Sequence, residues 1–185
     1  MSIISTLVKR LDEALDYLVE RQQFSSAATS LNQVPRSLPQ LDKEGLWGGV
    51  KSALDLGAGK YDAARLYLAK RGVKLHNYDP YNRTDKENKA ALNSGKHDVV
   101  LLNNVLNVIK ERTEREDLIK LAKSRLSPNG QLIIQVYQGT NDGQAKQTGS
   151  DQFQLNQPLS FYEPELKKHF GHVEMNSGLL RAKLS

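Results

Sequence analysis

The sequence predicts an α/β fold built on a mostly parallel β-sheet, and two features carry that prediction. From Ser52 onward, short apolar runs alternate with stretches of helical periodicity, which is the pattern of successive strand–helix units. The first run ends in the turn Gly57-Ala58-Gly59, and a helical pattern follows it. A parallel sheet collects such turns at the carboxyl ends of its strands, where ligands bind. The fold class therefore also indicates where a functional site lies.

The order of elements follows from the same patterns. Strands are predicted at 52–56, 73–78, 98–102 and 131–137, and helices at about 60–71, 85–94 and 113–126. Thr113 with Glu116 matches a capping box at the start of the third helix, and the turn sequence 127–130 ends that helix. A second box, Ser160 with Glu163, predicts a helix to about residue 170.

The two ends of the predicted sheet differ from its centre. Short strands at 171–175 and 179–184, joined by Asn176-Ser177-Gly178, predict a C-terminal antiparallel hairpin. Residues 138–157 form a long polar stretch, either a floppy loop or a substrate loop. We divide the chain into an N-terminal helical extension and connector, 1–50, and a main domain, 51–185. Apolar spacing predicts a helix over 3–21, and 24–49 is a connector with one short helical turn at most.

Composition narrows the possible partners and chemistry. The chain has 185 residues, a net charge of +5 and no cysteine, so it has neither disulfides nor thiolate metal sites. Residues 51–185 carry 21 basic and 15 acidic groups, an excess that favours an anionic partner such as DNA or RNA, or else a solvated surface. No apolar run approaches the roughly 20 residues of a membrane span. Charges follow the first apolar stretch, the reverse of a secretory signal, which predicts a cytoplasmic protein. The oligomeric state is not predicted.

The glycine turn has the form of a nucleotide-binding turn, but not one for a dinucleotide. Gly57 permits a tight turn and Gly59 lets a ligand approach the backbone. A dinucleotide fingerprint needs a small residue at position 62, where Asp62 would repel a pyrophosphate. Asp79, 22 residues after Gly57, ends the second strand and can accept both hydroxyls of an adenosine ribose. Its alternative role is a cap or turn residue before Pro80.

These residues resemble the first motif, D/E-x-G-x-G, of Rossmann-like class I S-adenosylmethionine-dependent methyltransferases. The resemblance implies S-adenosyl-L-methionine as cofactor. Asp55, Gly57, Ala58 and Gly59 would surround its methionine end, where an acidic turn suits the ammonium and the sulfonium. The remaining cofactor-binding residues that the resemblance implies are Asp79, Pro80, Tyr81, Asn103, Asn104 and Val105. Tyr61 departs from the motif, because many members have a third glycine there.

A second resemblance covers roughly residues 52–126. The segments 77–83 and 98–109 and the pair Glu114-Arg115 look like the methyltransferase domain associated with DNA phosphorothioation. That family has D-P-Y/F-H, then D-V-V-x-L-x-x-V-L-N-V-I and E-R, and Asn82 stands here where it usually has His. Only 17 residues run from Tyr81 to His97, too few for helix, strand and helix. The third strand of the fold is therefore reduced or missing, and Pro80, Tyr81 and residues near Asp98 would hold the adenine.

The candidate catalytic residues are Asn103, Asn104 and Tyr137. An asparagine at the end of the strand 98–102 can hold the cofactor's amino-acid end, orient a target amine, or only cap the strand. Tyr137 could stack on a base or pack in the core. The D/N/S-P-P-Y/F motif of base N-methyltransferases is absent at 103–106, and the absence of cysteine excludes the familiar route to 5-methylcytosine.

Other candidates carry less weight. His169 and His172 are separated by Gly171 and do not form a metal site, so no metal is predicted. Trp47 could cover the cofactor, or belong to the core or an interface.

Three functions remain open. The first, which the sequence favours and which we predict, is methyl transfer to nucleic acid by in-line displacement, and the second is methyl transfer to a small molecule with residues 1–50 as a closing lid. The third is a non-catalytic module that binds the cofactor or a partner.

Overall fold

The central β-sheet has six strands, and a separate pair of strands lies outside it. The computed structural model describes residues 22–185, so the helix predicted at 3–21 lies outside the described part. The eight strands are β1 (Ser52–Leu56), β2 (Lys74–Tyr78), β3 (His97–Asn103), β4 (Leu126–Gln135), β5 (Ala145–Gly149), β6 (Gln152–Leu155), β7 (His172–Asn176) and β8 (Leu179–Lys183). The sheet order is β2-β1-β3-β4-β8-β7.

The strand directions confirm the predicted fold class. Strands β2, β1, β3 and β4 are parallel, whereas β8 runs antiparallel to β4 and β7 antiparallel to β8. Asn176 pairs with Leu179, which leaves Ser177 and Gly178 as a two-residue turn. Both have positive φ, 53° and 74°, as a tight hairpin turn requires. The sheet is therefore mostly parallel with a C-terminal antiparallel hairpin.

Within residues 22–185, five α-helices cover the two faces of the sheet: α1 (Ser37–Lys43), α2 (Ala63–Ala69), α3 (Asp85–Leu92), α4 (Arg112–Ser124) and α5 (Glu163–Lys167). Helices α1 and α2 pack on one face, with Leu38, Leu41 and Leu68 fully buried against the alternate residues of β1 and β3. Helices α3, α4 and α5 pack on the other face. Since a parallel sheet is buried on both faces, its strands are continuous apolar runs rather than alternating ones.

The third strand of the fold is missing, as the short segment 81–97 predicts. Strand β2 is the outer strand of the sheet in the described residues, and α3 alone connects it to β3. Thr84 caps α3 through a capping box with Glu87, which the sequence analysis did not identify. The edge beyond β2 therefore lacks the strand that would normally flank the second half of a bound nucleotide.

Residues 24–49 are more ordered than a connector. Besides α1, they form 3₁₀-helices at Ala27–Thr29 and Leu46–Gly49. Trp47 is only 2% exposed and belongs to the core cluster of α1 and α2, where its Nε1 donates to the carbonyl of Leu38 at 3.0 Å. Trp47 is therefore a core residue and does not cover a ligand.

The two capping boxes that we predicted are both wrong. Helix α4 begins at Arg112, one residue early, so Thr113 lies inside the first turn and its hydroxyl bonds Glu114 instead. Ser160 lies within a 3₁₀-helix, Leu159–Tyr162, that runs directly into α5. Because the chain is already helical before Glu163, no Ser160 cap forms, and α5 ends at Lys167 rather than near 170.

Two segments predicted as turn or loop contain strand. The turn sequence 127–130 lies within β4 as a bulge, because β3 advances from His97 to Val99 while β4 advances from Leu126 to Gln131. The stretch 138–157 is not a floppy loop, since it contains the antiparallel pair β5 and β6. No described helix has both the length and the apolar character needed to cross a membrane.

A buried ion pair joins α4 to α5. Arg115 and Glu165 are each 4% exposed in their side chains, and the guanidinium binds both carboxylate oxygens, at 3.1 and 2.7 Å. The same guanidinium donates to the carbonyls of Ile109 and Lys110, each at 3.0 Å. Arg115 therefore fixes the segment between β3 and α4.

Arg115→Ala should destabilise the fold by about 3–5 kcal/mol, because it leaves the Glu165 carboxylate buried without its partner. Urea unfolding measures this. Lys120→Ala removes a surface pair with Asp117 on the same helix, where the lysine is 57% exposed, and should cost under about 1 kcal/mol. Equal losses in the two variants would contradict the role given to the buried pair.

Candidate cofactor and acceptor site

The carboxyl ends of β1, β2 and β3 border a cavity of about 900 Å³. All eleven residues that the sequence analysis named for the cofactor site or for catalysis line this cavity. Nucleotide turns and ligand sites gather at this edge of a parallel sheet because the strands all end there. The predicted residues are thus brought together, and their geometry decides what each can do.

The glycine turn needs glycine at both positions. Gly57 has φ 90°, and a Cβ there would lie 2.5 Å from a methyl group of Val105. Gly59 has φ 67°, and a Cβ there would collide with the hydroxyl of Ser30. The amides of Gly57 and Ala58 both donate to the carbonyl of Tyr78, at 2.8 and 3.0 Å. The turn therefore sits tightly between β2 and Val105.

Arg83 holds this turn from outside the cavity. Its Nε donates to the carbonyl of Gly59 at 2.7 Å, and its two terminal nitrogens bind the Tyr61 carbonyl at 2.8 Å and Asp62 at 2.9 Å. The Arg83 side chain is 9% exposed. Tyr61, where the motif commonly has a third glycine, is thus held by the Arg83 guanidinium, which contacts its backbone carbonyl. Sequence reasoning gave Arg83 no role.

Asp62 does not supply the acidic character of the turn. It does not line the cavity, and its carboxylate pairs with Arg65 at 2.7 Å and with Arg83. Arg65 and, less strongly, Arg83 lower the pKa of Asp62 against a partial desolvation. Our interpretation of Asp62 as a charge facing the ligand is therefore wrong, and that charge belongs to Asp55.

Asp55 is the unusual group of the site. It is 2% exposed at the end of β1, and its Oδ1 has no hydrogen-bond partner among the described residues. Its pKa is raised to about 7, chiefly because burial penalises the charged form and also because Asp79 repels it, while Arg83 acts in the opposite direction. A buried carboxylate with an unpartnered oxygen, in a residue that lines the cavity, is suited to a cationic ligand.

Asp79 is a turn residue that also lines the cavity. Its Oδ1 accepts the amides of Tyr81 and Asn82, at 3.0 and 2.9 Å, and so closes the turn after β2. Its Oδ2 accepts the amide of Gly59 at 2.8 Å. A carboxylate oxygen accepts more than one hydrogen bond, so Oδ2 retains capacity for a ligand hydroxyl. The turn role is thus confirmed, and the ribose role stays a prediction.

Asn103 and Asn104 belong to a network that ties the N-terminal segment to the strand ends. Asn103 Oδ1 accepts the Ser37 hydroxyl at 2.6 Å, and Gln135 Oε1 accepts the Ser37 amide at 2.8 Å. Asn104 has a left-handed φ of 59°, and its amide donates to the carbonyl of Gln135 at 2.8 Å. The buried Nδ2 of Asn103 has no partner among the described residues, so this amide can donate to a ligand.

Residues 22–37, which we call the cover segment, pass across the cavity. Gln22 accepts the Tyr81 hydroxyl at 3.1 Å, and the Ser30 hydroxyl accepts the amide of Lys60 at 3.0 Å. Phe24 stacks on Phe153 of β6 with ring centroids 5.7 Å apart. The segment thus contacts the loop after β2, the glycine turn and the β5–β6 hairpin. Nothing in the sequence pattern indicated these contacts, because they join residues far apart in the chain.

Two sequence predictions need correction here. Tyr137 lies beyond the end of β4 and is 64% exposed, so it is neither a strand residue nor a core residue, although it lines the cavity. Asp98 is at the amino end of β3, where its Oδ2 accepts the amides of Lys51 and Ser52 at 2.8 and 3.2 Å. It lies at the opposite edge of the sheet and cannot hold an adenine in the cavity. Within residues 22–185, no group of three or more His, Asp or Glu side chains could hold a metal ion.

Solved structures similar to this chain are methyltransferases. One is the 1,6-didemethyltoxoflavin-N1-methyltransferase of Burkholderia thailandensis, solved with 1,6-didemethyltoxoflavin and S-adenosylhomocysteine bound. Its TM-score is 0.60 at 15% identity, and the match covers 96% of this chain and 88% of that one. Another is an O-methyltransferase family protein from Burkholderia thailandensis, with TM-score 0.58, 17% identity and 80% of this chain covered. This chain spans only 56% of that protein's length. A third is a SAM-bound amino pentose methyltransferase from Micromonospora echinaspora, with TM-score 0.54, 14% identity and coverage of 95% and 97%.

Sequence comparison gives the family directly. No curated protein matches the chain. A family model described as a methyltransferase domain matches residues 10–172, which is most of the chain. The fold, the glycine turn with its two acids, and structural neighbours with S-adenosylmethionine or S-adenosylhomocysteine bound agree with that match. The chain therefore belongs to the methyltransferase domain family, whose cofactor is S-adenosyl-L-methionine.

Proposed function

We propose that the chain transfers a methyl group from S-adenosylmethionine to a small polar acceptor bound in the same cavity. The observation that carries the proposal is the buried Asp55 carboxylate, whose Oδ1 is unpartnered within the described residues and which lines the cavity beside the glycine turn. The α-ammonium of the cofactor is a cation of the right kind to pair with it. Pairing would also offset the cost of keeping this carboxylate charged in the protein interior.

The residues of the cavity fit the other parts of the cofactor. Asn103 Nδ2 is a buried donor for the α-carboxylate, and Asp79 Oδ2 is an acceptor for a ribose hydroxyl. Pro80, Tyr81 and Val105 line the same cavity and offer surfaces for the adenine. The bound cofactor would supply a methyl group already activated on a sulfonium. The protein then has mainly to bind, align and exclude water, because in-line displacement gains most from positioning.

A small acceptor fits the enclosure of the cavity. A volume of about 900 Å³ is near the upper limit of small-molecule sites, roughly 300–1,000 Å³, so it has room for the cofactor and a modest second ligand. The cover segment and the β5–β6 hairpin lie over it and leave less access for a polymer. Two of the structural neighbours are a 1,6-didemethyltoxoflavin methyltransferase and an amino pentose methyltransferase, which also favours a small acceptor.

Nucleic acid is the second candidate acceptor. The excess of basic residues in 51–185 favours it, as does the resemblance of residues 52–126 to the methyltransferase domain associated with DNA phosphorothioation. Access for a base would require the cover segment to move away from the loop after β2.

The domain boundary that we place at residue 50 stays a prediction. We propose that the part of 1–50 within the cover segment closes the site.

Asp55→Asn should stabilise the free protein and at the same time weaken cofactor binding. The pKa of Asp55 in the folded protein, about 7, lies above the ordinary aspartate value of 3.8, so ionisation of Asp55 costs stability as pH rises from about 4 to 7. The variant should therefore match the wild type in urea unfolding near pH 4 and exceed it by a few kcal/mol at pH 8. Its Kd for S-adenosylhomocysteine, measured by calorimetry at pH 8, should rise at least about tenfold.

Asp117→Asn, on the outer surface of α4, is the control and should change neither quantity appreciably. Tight binding of S-adenosylhomocysteine by Asp55→Asn would contradict the pairing of this carboxylate with the ammonium. Absence of binding by the unmodified protein would overturn the proposed function itself.

Arg83→Lys should weaken binding of S-adenosylhomocysteine by about tenfold or more, although it keeps the charge. A lysine cannot donate to Gly59, Tyr61 and Asp62 at once as the planar guanidinium does. The control is Arg65→Lys. Arg65 is the other arginine that pairs with Asp62, and its side chain is 49% exposed, so this variant should leave the Kd within about twofold. An equal weakening of S-adenosylhomocysteine binding in both variants would contradict this role. It would show that the positive charge near Asp62 matters, and not the hydrogen bonds that Arg83 makes to the turn.

The class of acceptor can be tested with methyl-tritiated cofactor. We would incubate the protein with it and with lysate fractionated into small-molecule, RNA, DNA and protein pools. The proposal expects label in the small-molecule pool, and none there with Asp79→Ala, which lacks the proposed ribose contact. Label in RNA or DNA alone would contradict a small acceptor and favour the second candidate.

A further inference from the structure

Asn107 is a buried polar side chain in the cavity wall that the sequence analysis did not select. It lies in a 3₁₀-helix, Leu106–Val108, three residues after Asn104, and is 2% exposed. It lines the same cavity as the glycine turn. Its Oδ1 is fully buried and has no hydrogen-bond partner among the described residues. Buried polar atoms almost always have partners, so this oxygen calls for an explanation.

The orientation of the Asn107 amide is fixed by Gln154 of β6. Gln154 Nε2 donates to the carbonyls of Tyr137 and Leu155, both at 2.9 Å. Its Oε1 therefore faces Asn107 and accepts from Asn107 Nδ2 at 3.0 Å. Reversing the Asn107 amide would place two carbonyl oxygens against each other. The network thus holds Asn107 Oδ1 away from Gln154, and this atom can only accept a hydrogen bond.

Asn107 follows a different strand from the glycine turn and Asp79, and it comes after Asn103 and Val105, which we propose for the cofactor. The glycine turn and Asp79 follow β1 and β2, at one side of the cavity. Asn107 follows β3, and Gln154 links it to the carbonyl of Tyr137, just beyond β4. The groups left at this side are the carboxamides of Gln138 and Gln154 and the exposed ring of Tyr137. This is the side of the cavity that remains for the methyl acceptor.

We propose that Asn107 Oδ1 accepts an N–H of the methyl acceptor, and that the acceptor is therefore a primary or secondary amine. This inference rests on the proposed function and specifies its substrate class. A single acceptor oxygen that takes one N–H leaves the nitrogen lone pair free to point at the methyl group. Glu114, which is 3% exposed and lines the same cavity, adds a negative charge that favours an amine over an anionic acceptor.

The chemistry of the site favours nitrogen over an alcohol oxygen. Besides tyrosines and one exposed arginine, the titratable groups among the described lining residues are the carboxylates of Asp55, Asp79 and Glu114. A carboxylate is a poor base for an aliphatic hydroxyl, whereas a neutral amine attacks with its own lone pair. The N–CH₃ bond forms as the S–CH₃ bond breaks, the sulfonium leaves as a thioether, and the alkylated nitrogen releases its extra proton to water.

The first test identifies the atom that receives the methyl group. The protein is incubated with methyl-labelled cofactor and the small-molecule fraction of a lysate, and the labelled product is analysed by mass spectrometry and NMR. The inference expects the label on nitrogen. A label on oxygen or carbon would overturn it while leaving the methyltransferase function intact.

The second test separates Asn107 from the cofactor site. Asn107→Leu replaces the amide with a side chain of similar size. It should lower kcat/KM for the amine identified in the first test about 100-fold or more. It should also abolish the rise in melting temperature that this amine causes when S-adenosylhomocysteine is present. Asn107→Asp keeps an acceptor oxygen but turns its second oxygen toward Gln154 Oε1, so it should recover only part of the activity that Asn107→Leu loses. The Kd for S-adenosylhomocysteine should stay within twofold in both variants.

Asn93→Leu, at the exposed end of α3, is the matched control and should leave every one of these quantities unchanged. A tenfold loss of S-adenosylhomocysteine binding in Asn107→Leu would place Asn107 in the cofactor site instead and overturn the inference. Unchanged kcat/KM in that variant would overturn it as well. A wild type that does not bind S-adenosylhomocysteine would be a failure of the proposed function, and the two failures are thus distinguishable.

Discussion

The charge balance between Asp55, Asp79 and Arg83 decides what the carboxyl edge of the sheet can bind. Parallel strands β1 and β2 end together, so Asp55, near the end of β1, and Asp79, just after β2, lie close enough to repel each other. Arg83 offsets part of that repulsion from outside the cavity while it holds the glycine turn in shape. The cavity is left with a buried acid in excess, which an ammonium can neutralise. The geometry of the turn and the preference for a cationic ligand therefore have a common origin.

The missing third strand changes how the site is enclosed. With β2 at the sheet edge among the described residues, the cover segment contacts the loop after β2 through Gln22, and Phe24 of the same segment stacks on Phe153 of the β5–β6 hairpin. These contacts bring residues far apart in the chain to one cavity. The hairpin also supplies Gln154, which fixes the Asn107 amide in the wall of the same cavity. One hairpin therefore contacts both the cover segment and the segment after β3.

The fold, and the presence of the named residues around one cavity, were predictable because they rest on local patterns, such as apolar runs, the Gly57-Ala58-Gly59 turn and the short spacing to β3. The errors came from context. Thr113 and Ser160 match capping boxes, yet the helices begin earlier. Asp62 looked like a ligand acid because its pairing with Arg83 joins residues 21 apart. Asn107 was missed because its significance lies in a partner, Gln154, that only the folded chain brings near.

The most direct measurement is a ¹³C NMR titration of the Asp55 carboxyl with and without S-adenosylhomocysteine. Burial and the neighbouring Asp79 predict a pKa of about 7 in the free protein. Pairing with the ligand ammonium predicts a fall to below about 5 in the complex. An ordinary pKa near 4 in the free protein, or the same raised value in both states, would contradict the account.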